Sequence, residues 1–397
     1  MKRILAFSVL SAMIFTLLIP AGAVKSDELR FNEEGTFTVL QISDPQDDHN
    51  PAYDMVNLIK LSIEQSDPDL IVFTGDIVED SRIGDLFIDD ESGREGVSTD
   101  DYATTLANVE AACAAVFEKA EKEGIPFAVV QGNNDYKSGV TNEDWMRIYS
   151  EYENCLVTDE SGDSTGRIDY NLEIKSSDGK SAFNLWLMDT AKSSVNEEQL
   201  SWYKTESAKL AAENGGKPVP AFVFQHIPTD DIGNLFEECN IWDEGARLNT
   251  DDGMKFYRLN KEIANGYNVS GVAPGTVTEQ FKAWKECGDV VGAYFGHWHT
   301  EGYTGVYDGI ELGFTYGCEF AKTGPYGVRV FTLYEDDILN YDNELYVYEG
   351  SVRTGDAKLV KQIDEPYKVY DNPVEKFFAS FGNVFTVFAL VVKGWFS

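Results

Sequence analysis

Five apolar runs along this chain each end on side chains able to hold a cation or to make strong hydrogen bonds. Thr36 to Ile42 leads to Asp44 and Gln46, and Asp69 to Thr74 leads to Asp76. Pro126 to Gln131 leads to Asn133 and Asn134, Pro220 to Gln225 to His226, and Val290 to Phe295 to His297 and His299. Each run has the length and composition of a buried strand, and segments of helical period lie between them. Strands alternating with helices pair in parallel, and both faces of such a sheet must be covered. Ligand-holding groups collect in the loops at the C-terminal ends of those strands, where every one of these residues falls.

Among the helical segments, Pro51 to Gln65 carries apolar residues at helical spacing, with Asn50 as N-cap and Pro51 at the first helical position. Asp101 to Glu123, Asn196 to Glu213 and Thr276 to Cys287 read as three more helices. Arg82 to Asp100, acidic and glycine-containing, reads as a loop. Arg167 to Ile174 and Phe183 to Met188 read as strands on either side of the turn Ser176-Ser177-Asp178-Gly179. Further strands are expected near Thr304 to Tyr307, Glu311 to Thr315, Gly327 to Leu333 and Glu344 to Tyr348. Between His226 and Thr276 the sequence is polar with little periodicity, and reads as a long insertion beside the site. The expectation is an α/β fold, a sandwich of two sheets covered by helices.

Charge narrows the function classes. Of 397 residues, 68 are Asp or Glu and 32 are Lys or Arg, a formal net charge of -36. Such a surface repels nucleic acid and offers no groove that follows a phosphate backbone. Most of these carboxylates form a solvated face, and only those flanked by apolar runs are candidates for ligands. The chain has four histidines, so three of them standing at strand ends is a concentrated signal. The fourth, His49, lies five residues after Asp44. It reads either as a surface histidine in an acidic loop or as an extra acid or ligand. Five cysteines show no Cys-x-x-Cys spacing, which leaves a zinc ribbon or a thioredoxin-like site unsupported. Cys113, in an apolar helical run, reads as a buried thiol.

Lys2-Arg3, the apolar stretch Ile4 to Ile19 and Ala21-Gly22-Ala23 have the form of an export signal cut after Ala23. The alternative is an uncleaved membrane anchor. At the other end, Phe377 to Val392 is uncharged and short for a spanning helix, which needs about 20 residues. Lys376, Ser380, Asn383, Thr386 and Lys393 recur near helical period, as in an amphipathic helix lying in a membrane interface. A short transmembrane anchor and a helix docked on the protein's own core are the alternatives. The expected localisation is outside the cytoplasm, at a membrane.

Carboxylates, amides and imidazoles in this order suit a pair of divalent cations. A carboxylate such as Asp76 can bridge two cations about 3.5–4 Å apart, which clamp a phosphoryl oxygen and lower the pKa of a bridging water; the hydroxide then attacks phosphorus in line. The amide oxygens of Gln46 and Asn133 favour harder ions such as Mn or Fe over thiolate-preferring ones. Taken singly, Asp-x-Gln, Gly-Asp and Gly-Asn-Asn-Asp are ordinary turn sequences; the ordered set, with Gly296-His297-Trp298-His299 at its end, is specific.

That set, Asp44-Pro45-Gln46, Gly75-Asp76, Gly132-Asn133-Asn134-Asp135, His226 and Gly296-His297-Trp298-His299, resembles the motifs of the calcineurin-like metallophosphoesterases. Leu200-Ser201-Trp202-Tyr203 and Tyr326-Gly327 are similar to the branch that includes purple acid phosphatase-like enzymes. The resemblance implies a four-layer α/β/β/α sandwich of two mixed β-sheets over residues 36–335. Outside that stretch, the residues themselves give a signal peptide over 1–23, a C-terminal strand and linker over 336–373, and a membrane-associating segment over 374–397. The resemblance further implies a first metal held by Asp44, Gln46, Asp76 and His299, and a second by Asp76, Asn133, His226 and His297. The cofactor would be two divalent ions, Mn, Fe or Zn, and the substrate a phosphorylated small molecule. Two positions depart from the family: Gln46 stands where histidine is usual, and Asn134 replaces a histidine taken as proton donor or phosphate contact. Asn134 can touch the phosphate but cannot release a proton near neutral pH. Glu79 stands where purple acid phosphatases have a tyrosine, so no iron–phenolate centre is expected. The rival expectation is a protein of the same fold that holds metal and a phosphoryl ligand without turnover.

Overall fold

In a computed structural model, residues 28–362 are described except 80–82, 84–100, 250–252, 254, 270, 273–274 and 322–323. The export signal, most of the acidic loop and the C-terminal amphipathic segment lie outside the described residues. Among the described residues, no helix is long and apolar enough to cross a membrane.

The first half builds Thr36–Ile42 (β1), Tyr53–Ser66 (α1), Leu70–Thr74 (β2), Tyr102–Glu123 (α2) and Phe127–Val130 (β3). β1, β2 and β3 pair in parallel, each crossover being a helix. After Asn133–Lys137 (α3) and Asn142–Ser150 (α4), the chain forms Tyr170–Lys175 (β4), Ser181–Met188 (β5), Glu197–Glu213 (α5) and Ala221–Gln225 (β6). An excursion of Phe236–Cys239 (β7), Arg247–Asn249 (β8), Lys255–Leu259 (β9) and Ala264–Tyr267 (β10) follows. Gln280–Cys287 (α6), Val290–Phe295 (β11), Gly302–Tyr307 (β12), Ile310–Phe314 (β13), Gly327–Tyr334 (β14), Asp342–Glu349 (β15) and Lys358–Lys361 (β16) complete the described chain.

Two large mixed sheets result. One runs β16-β15-β14-β1-β2-β3 and the other β10-β12-β13-β11-β6-β5-β4. In β5, Phe183, Leu185 and Leu187 point to the space between the sheets, while Trp186 and Met188 join the cluster beneath α5 and α6. β6 divides the same way, Phe222 and Phe224 inward, Ala221 and Val223 outward. The two-residue period of a strand thus feeds two cores at once. α1 and α2 cover the first sheet with Met55, Leu58, Ile59, Val109, Val116 and Phe117, all buried. The layers are therefore helix, sheet, sheet, helix, the expected α/β/β/α sandwich. Between the sheets Phe222 meets Phe183, Tyr294, Phe331 and Tyr341 with ring centroids 4.7–5.2 Å apart.

Several boundaries differ from the sequence expectation, each for a local reason. α1 begins at Tyr53, with an extended Ala52 as N-cap and no side-chain cap, rather than with Asn50 capping Pro51. A residue before proline is pushed out of helical backbone, and Asp47 Oδ2 accepts the Ala52 N–H at 2.7 Å. α6 starts at Gln280 rather than Thr276, because Thr276 is held in an extended bridge to Thr229. The polar insertion is structured: β7, β9 and β8 form a separate three-stranded antiparallel sheet, and β10 joins the second large sheet. Its strands are short and polar, with Arg258 Nε donating to Glu237 Oε1 at 2.7 Å across a pair, so no apolar alternation marks them. The five cysteines are free thiols, and Cys113 is buried in α2.

Candidate metal centre

The C-terminal ends of β1, β2 and β3 face those of β6 and β11 where the two sheets meet, and the loops leaving them carry Asp44, Gln46, Asp76, Asn133, Asn134, His226, His297 and His299. Four of these residues have left-handed backbone: Asp44 (φ 48°), Gln46 (φ 37°), Asp76 (φ 49°) and His297 (φ 73°). Side chains other than glycine pay about 1–3 kcal/mol for such conformations, and they concentrate at functional sites. Here the loops are held by their own bonds: Asp44 N–H to Gly75 O at 3.2 Å, and Gln46 N–H to Asp76 O at 2.8 Å. The glycines of the motifs are needed for approach. A Cβ at Gly132 would collide with Asp76, and one at Gly296 with Ser43.

Ligand atoms fall into two groups that share Asp76, namely Asp76 with His226 and His297, and Asp44 with Asp76 and His299, each within 4.8 Å. His226 is fully buried, and its Nδ1 lies 2.8 Å from the Thr74 carbonyl oxygen. A carbonyl only accepts, so Nδ1 carries the proton and Nε2 is directed at Asp76 Oδ2 (3.2 Å) and Asn133 Oδ1 (3.1 Å). His299 is placed by a neighbouring charge rather than by an aligned hydrogen bond. Its Nδ1 lies 3.0 Å from Glu319 Oε2, leaving Nε2 facing Asp44 Oδ1 at 3.4 Å. An imidazole whose second nitrogen is held by a carboxylate or carbonyl is the usual arrangement of a metal ligand. The Asp44 carboxylate accepts from the His297 backbone N–H at 3.1 and 3.2 Å and from the Ser43 hydroxyl. Gln46 is buried beside it. The donor set of oxygens and imidazole nitrogens, in two groups with one shared carboxylate, fits two divalent cations.

Electrostatics show how tightly these charges are packed. Burial by itself would lower the His226 pKa, but the Asp76 and Asp44 carboxylates outweigh it and hold the imidazole up to about 10. Burial likewise opposes ionisation of Asp76, yet His226 and the Asn134 N–H draw it down to about 2. His297 is driven to about 3, by burial first and then by the charge of His226. Beneath them Asp135 is pushed up to about 8 by burial and by Asp76; its oxygens accept the Gly132 and Val78 N–H groups at 2.8 and 3.1 Å.

Asn134, expected to touch substrate, is spent on the cage. Its backbone N–H donates to Asp76 Oδ1 and its Nδ2 to Asp76 Oδ2, both at 2.8 Å, and its Oδ1 accepts from Asn133 at 3.0 Å. His49 is exposed and lines a groove over α1 with Pro51, Tyr53 and Val352; none of the ligand residues lines that groove. Sequence reasoning missed Glu319, which is 4% exposed. Its only signal is a carboxylate shortly after a buried strand. The loop reaches the site because Gly317 N–H bonds His299 O at 2.9 Å and Cys318 N–H bonds Asp44 O at 3.0 Å.

Known proteins resemble this chain over most of its length. The family model described as calcineurin-like phosphoesterase matches residues 37–301. "Probable inactive purple acid phosphatase 14" of Arabidopsis thaliana is 25% identical over 374 residues, covering 82% of each chain. "Probable inactive purple acid phosphatase 28" of the same plant is 25% identical over 334 residues, covering 74% of this chain and 72% of its own. Among solved structures, a dimetal phosphatase from Danio rerio is 12% identical, covers 83% of this chain and 99% of its own, and superposes with a TM-score of 0.46. The extent of the family match, from β1 to the residues just past His299, places this chain in the calcineurin-like phosphoesterase family.

Proposed function

We propose that this chain hydrolyses phosphate mono- or diesters of small molecules at a centre of two divalent cations, Mn, Fe or Zn. The observation that carries the reading is the pair of ligand groups sharing Asp76. Asp44, Gln46, Asp76 and His299 would hold one cation, and Asp76, Asn133, His226 and His297 the other. When bound, the cations supply Lewis-acid polarisation of the phosphoryl oxygens and a nucleophile at neutral pH. The residues supply the rest. Thr74 aims the His226 imidazole, Glu319 sets its charge beside that of His299, Asn134 and Gly132 pack the Asp76 carboxylate into a fixed orientation, and burial keeps bulk water from the shared oxygen.

A second reading, a metal- and phosphoryl-binding protein without turnover, is favoured by two observations. The Asn134 amide is committed to Asp76 and offers no proton to a leaving group, and relatives carry the words "probable inactive" in their names. Hydrolysis of activated aryl phosphates by the full chain, after chelation and add-back of each metal, separates the two. Turnover restored by metal and abolished in Asp76→Asn supports the enzyme; uptake of two metals with no turnover supports the binding protein. We also propose an exported, membrane-associated location, on the strength of the N-terminal charged and apolar stretch and the C-terminal amphipathic segment. Cell fractionation with sequencing of the mature N-terminus tests it.

A further inference from the structure

Beneath the candidate centre, polar side chains stand among the apolar ones of four strands. Gln41 lies in β1, Thr74 closes β2, Thr315 follows the last residue of β13, and Arg329 lies in β14. Gln41, Thr74 and Thr315 are fully buried, and Arg329 is 3% exposed. Burying a polar group is costly unless its hydrogen bonds are made, and here they are made in one continuous line. Arg329 Nε donates to Thr315 Oγ1 at 3.1 Å, Thr315 Oγ1 to Gln41 Oε1 at 2.7 Å, and Gln41 Nε2 to Thr74 Oγ1 at 3.1 Å. The Thr74 carbonyl oxygen is the group that holds His226 Nδ1.

The line has one direction. A guanidinium has five N–H donors and no acceptor, so the Thr315 hydroxyl accepts from Arg329 and its own proton goes to Gln41. A glutamine amide has two orientations that exchange its oxygen and nitrogen. With Oε1 taken by the Thr315 proton, Nε2 is turned toward Thr74. Arg329 is anchored twice more, Nη2 to Phe314 O and Nη1 to Asn343 Oδ1, both at 2.6 Å. Thr315 also reaches the neighbouring strand: its backbone N–H donates to Phe295 O at 3.1 Å, and Phe295 is the last residue of β11, before Gly296-His297. His226 and His297, two of the three members of one ligand group, therefore trace back to Thr315.

We propose that the Thr315 hydroxyl is a positioning group for His226, acting through Gln41 and Thr74. It selects the Gln41 amide orientation, and that amide pins Thr74 where β2 ends and the chain turns toward Asp76. Without the hydroxyl the Gln41 amide is released, the Thr74 side chain loses its donor, and the carbonyl that keeps a proton on His226 Nδ1 is less firmly held. A cation on Nε2 needs that proton to stay on Nδ1. The consequence for cation binding rests on the two-cation reading above, whereas the placement of the His226 ring does not.

The test compares Thr315→Val, which keeps the branched shape and removes the hydroxyl, with Thr315→Ser, which keeps the hydroxyl. In the metal-free full chain with ¹⁵N-labelled histidine, the Nδ1–H resonance of His226 is assigned by its loss in His226→Gln. Its exchange with water should be about three- to tenfold faster in Thr315→Val, the weight of one hydrogen bond. Calorimetric titration with Mn²⁺ should show one of two binding steps weakened by a similar factor and the other within about twofold of the parent. Thr315→Ser should return both readouts to the parent's values. Gln41→Met cuts the same line at its next link and carries the same readouts if Thr315→Val does not fold. A lowered Tm with exchange and metal binding unchanged makes the hydroxyl merely structural and overturns the assignment, as does a Thr315→Ser that behaves like Thr315→Val. A parent chain that takes up no metal overturns the two-cation reading, and the His226 resonance then decides the assignment by itself.

Discussion

Removing the carboxylate behind His299 should weaken one metal position and spare the other. Glu319 is buried, and its Oε2 lies 3.0 Å from His299 Nδ1. His299 is the sole imidazole in the group with Asp44 and Asp76, whereas the other group has His226 and His297. A carboxylate beside the second nitrogen favours the proton there and raises the basicity of the ligating nitrogen; losing it costs about 10–100-fold in metal affinity. At about 1.4 kcal/mol per factor of ten, that is about 1.4–2.8 kcal/mol at one position. Glu319→Gln keeps an acceptor oxygen and loses the charge, so it should fall at the low end of the range, and Glu319→Ala at the high end. Calorimetric titration of the metal-free full chain with Mn²⁺ or Zn²⁺ resolves the two binding steps, and Asp76→Asn, which removes the shared carboxylate, should impair both. Two steps unchanged in Glu319→Ala, or both weakened alike, would refute the reasoning.

Restoring an ionisable ring with Asn134→His should raise hydrolysis of alkyl phosphates relative to activated aryl phosphates by up to about 10²-fold, since general-acid help is felt most with poor leaving groups; steady-state rates on the two substrates check this, and an unchanged ratio counts against a missing acid as the limit. Phe222→Ala removes the ring around which Phe183, Tyr294, Phe331 and Tyr341 pack and should cost about 3–5 kcal/mol in a denaturant titration. Asp169, whose Oδ1 accepts from Asp189 N–H at 2.8 Å and Gln199 Nε2 at 2.7 Å, is pushed up to about 7 by burial and then by Asp189. Its folded pKa exceeds the unfolded one, so the folded state binds the proton more tightly and stability falls as pH rises from about 4 to 7, by at most about 4 kcal/mol. Asp169→Asn should therefore flatten the dependence of Tm on pH in the chelated protein and raise Tm at pH 8, and parallel curves for variant and parent would contradict the assignment.

What the sequence determined by itself was local. An apolar run too short for a helix and bounded by turn residues can only be a buried strand, so the ends of β1, β2, β3, β6 and β11 were legible, and with them Asp44, Asp76, Asn133, His226 and His297 as residues leaving strand ends. The parallel pairing of β1, β2 and β3 followed because a helix separates each pair. Periodicity also announced α2 and α5, whose caps are local too: Asp101 accepts from Thr104 N–H, and Asn196 and Gln199 cap each other's backbone.

Tertiary structure decided everything that depends on distance along the chain. No pattern within Gly317-Cys318-Glu319 says that this loop lies against His299; it does so because β13 pairs in parallel beside β11 and delivers its own C-terminal end to the same edge. The use of the Asn134 amide is set by Asp76, which is 58 residues away, and the late start of α6 by a bridge between Thr276 and Thr229. The strands of the insertion escaped because a sheet that buries little apolar surface leaves no two-residue hydrophobic period to read. Side-chain period records which face a segment buries, and that is a property of neighbours in sequence. The partners of a buried carboxylate or imidazole come from loops brought together by sheet order, and sheet order is chosen by the packing of the whole chain.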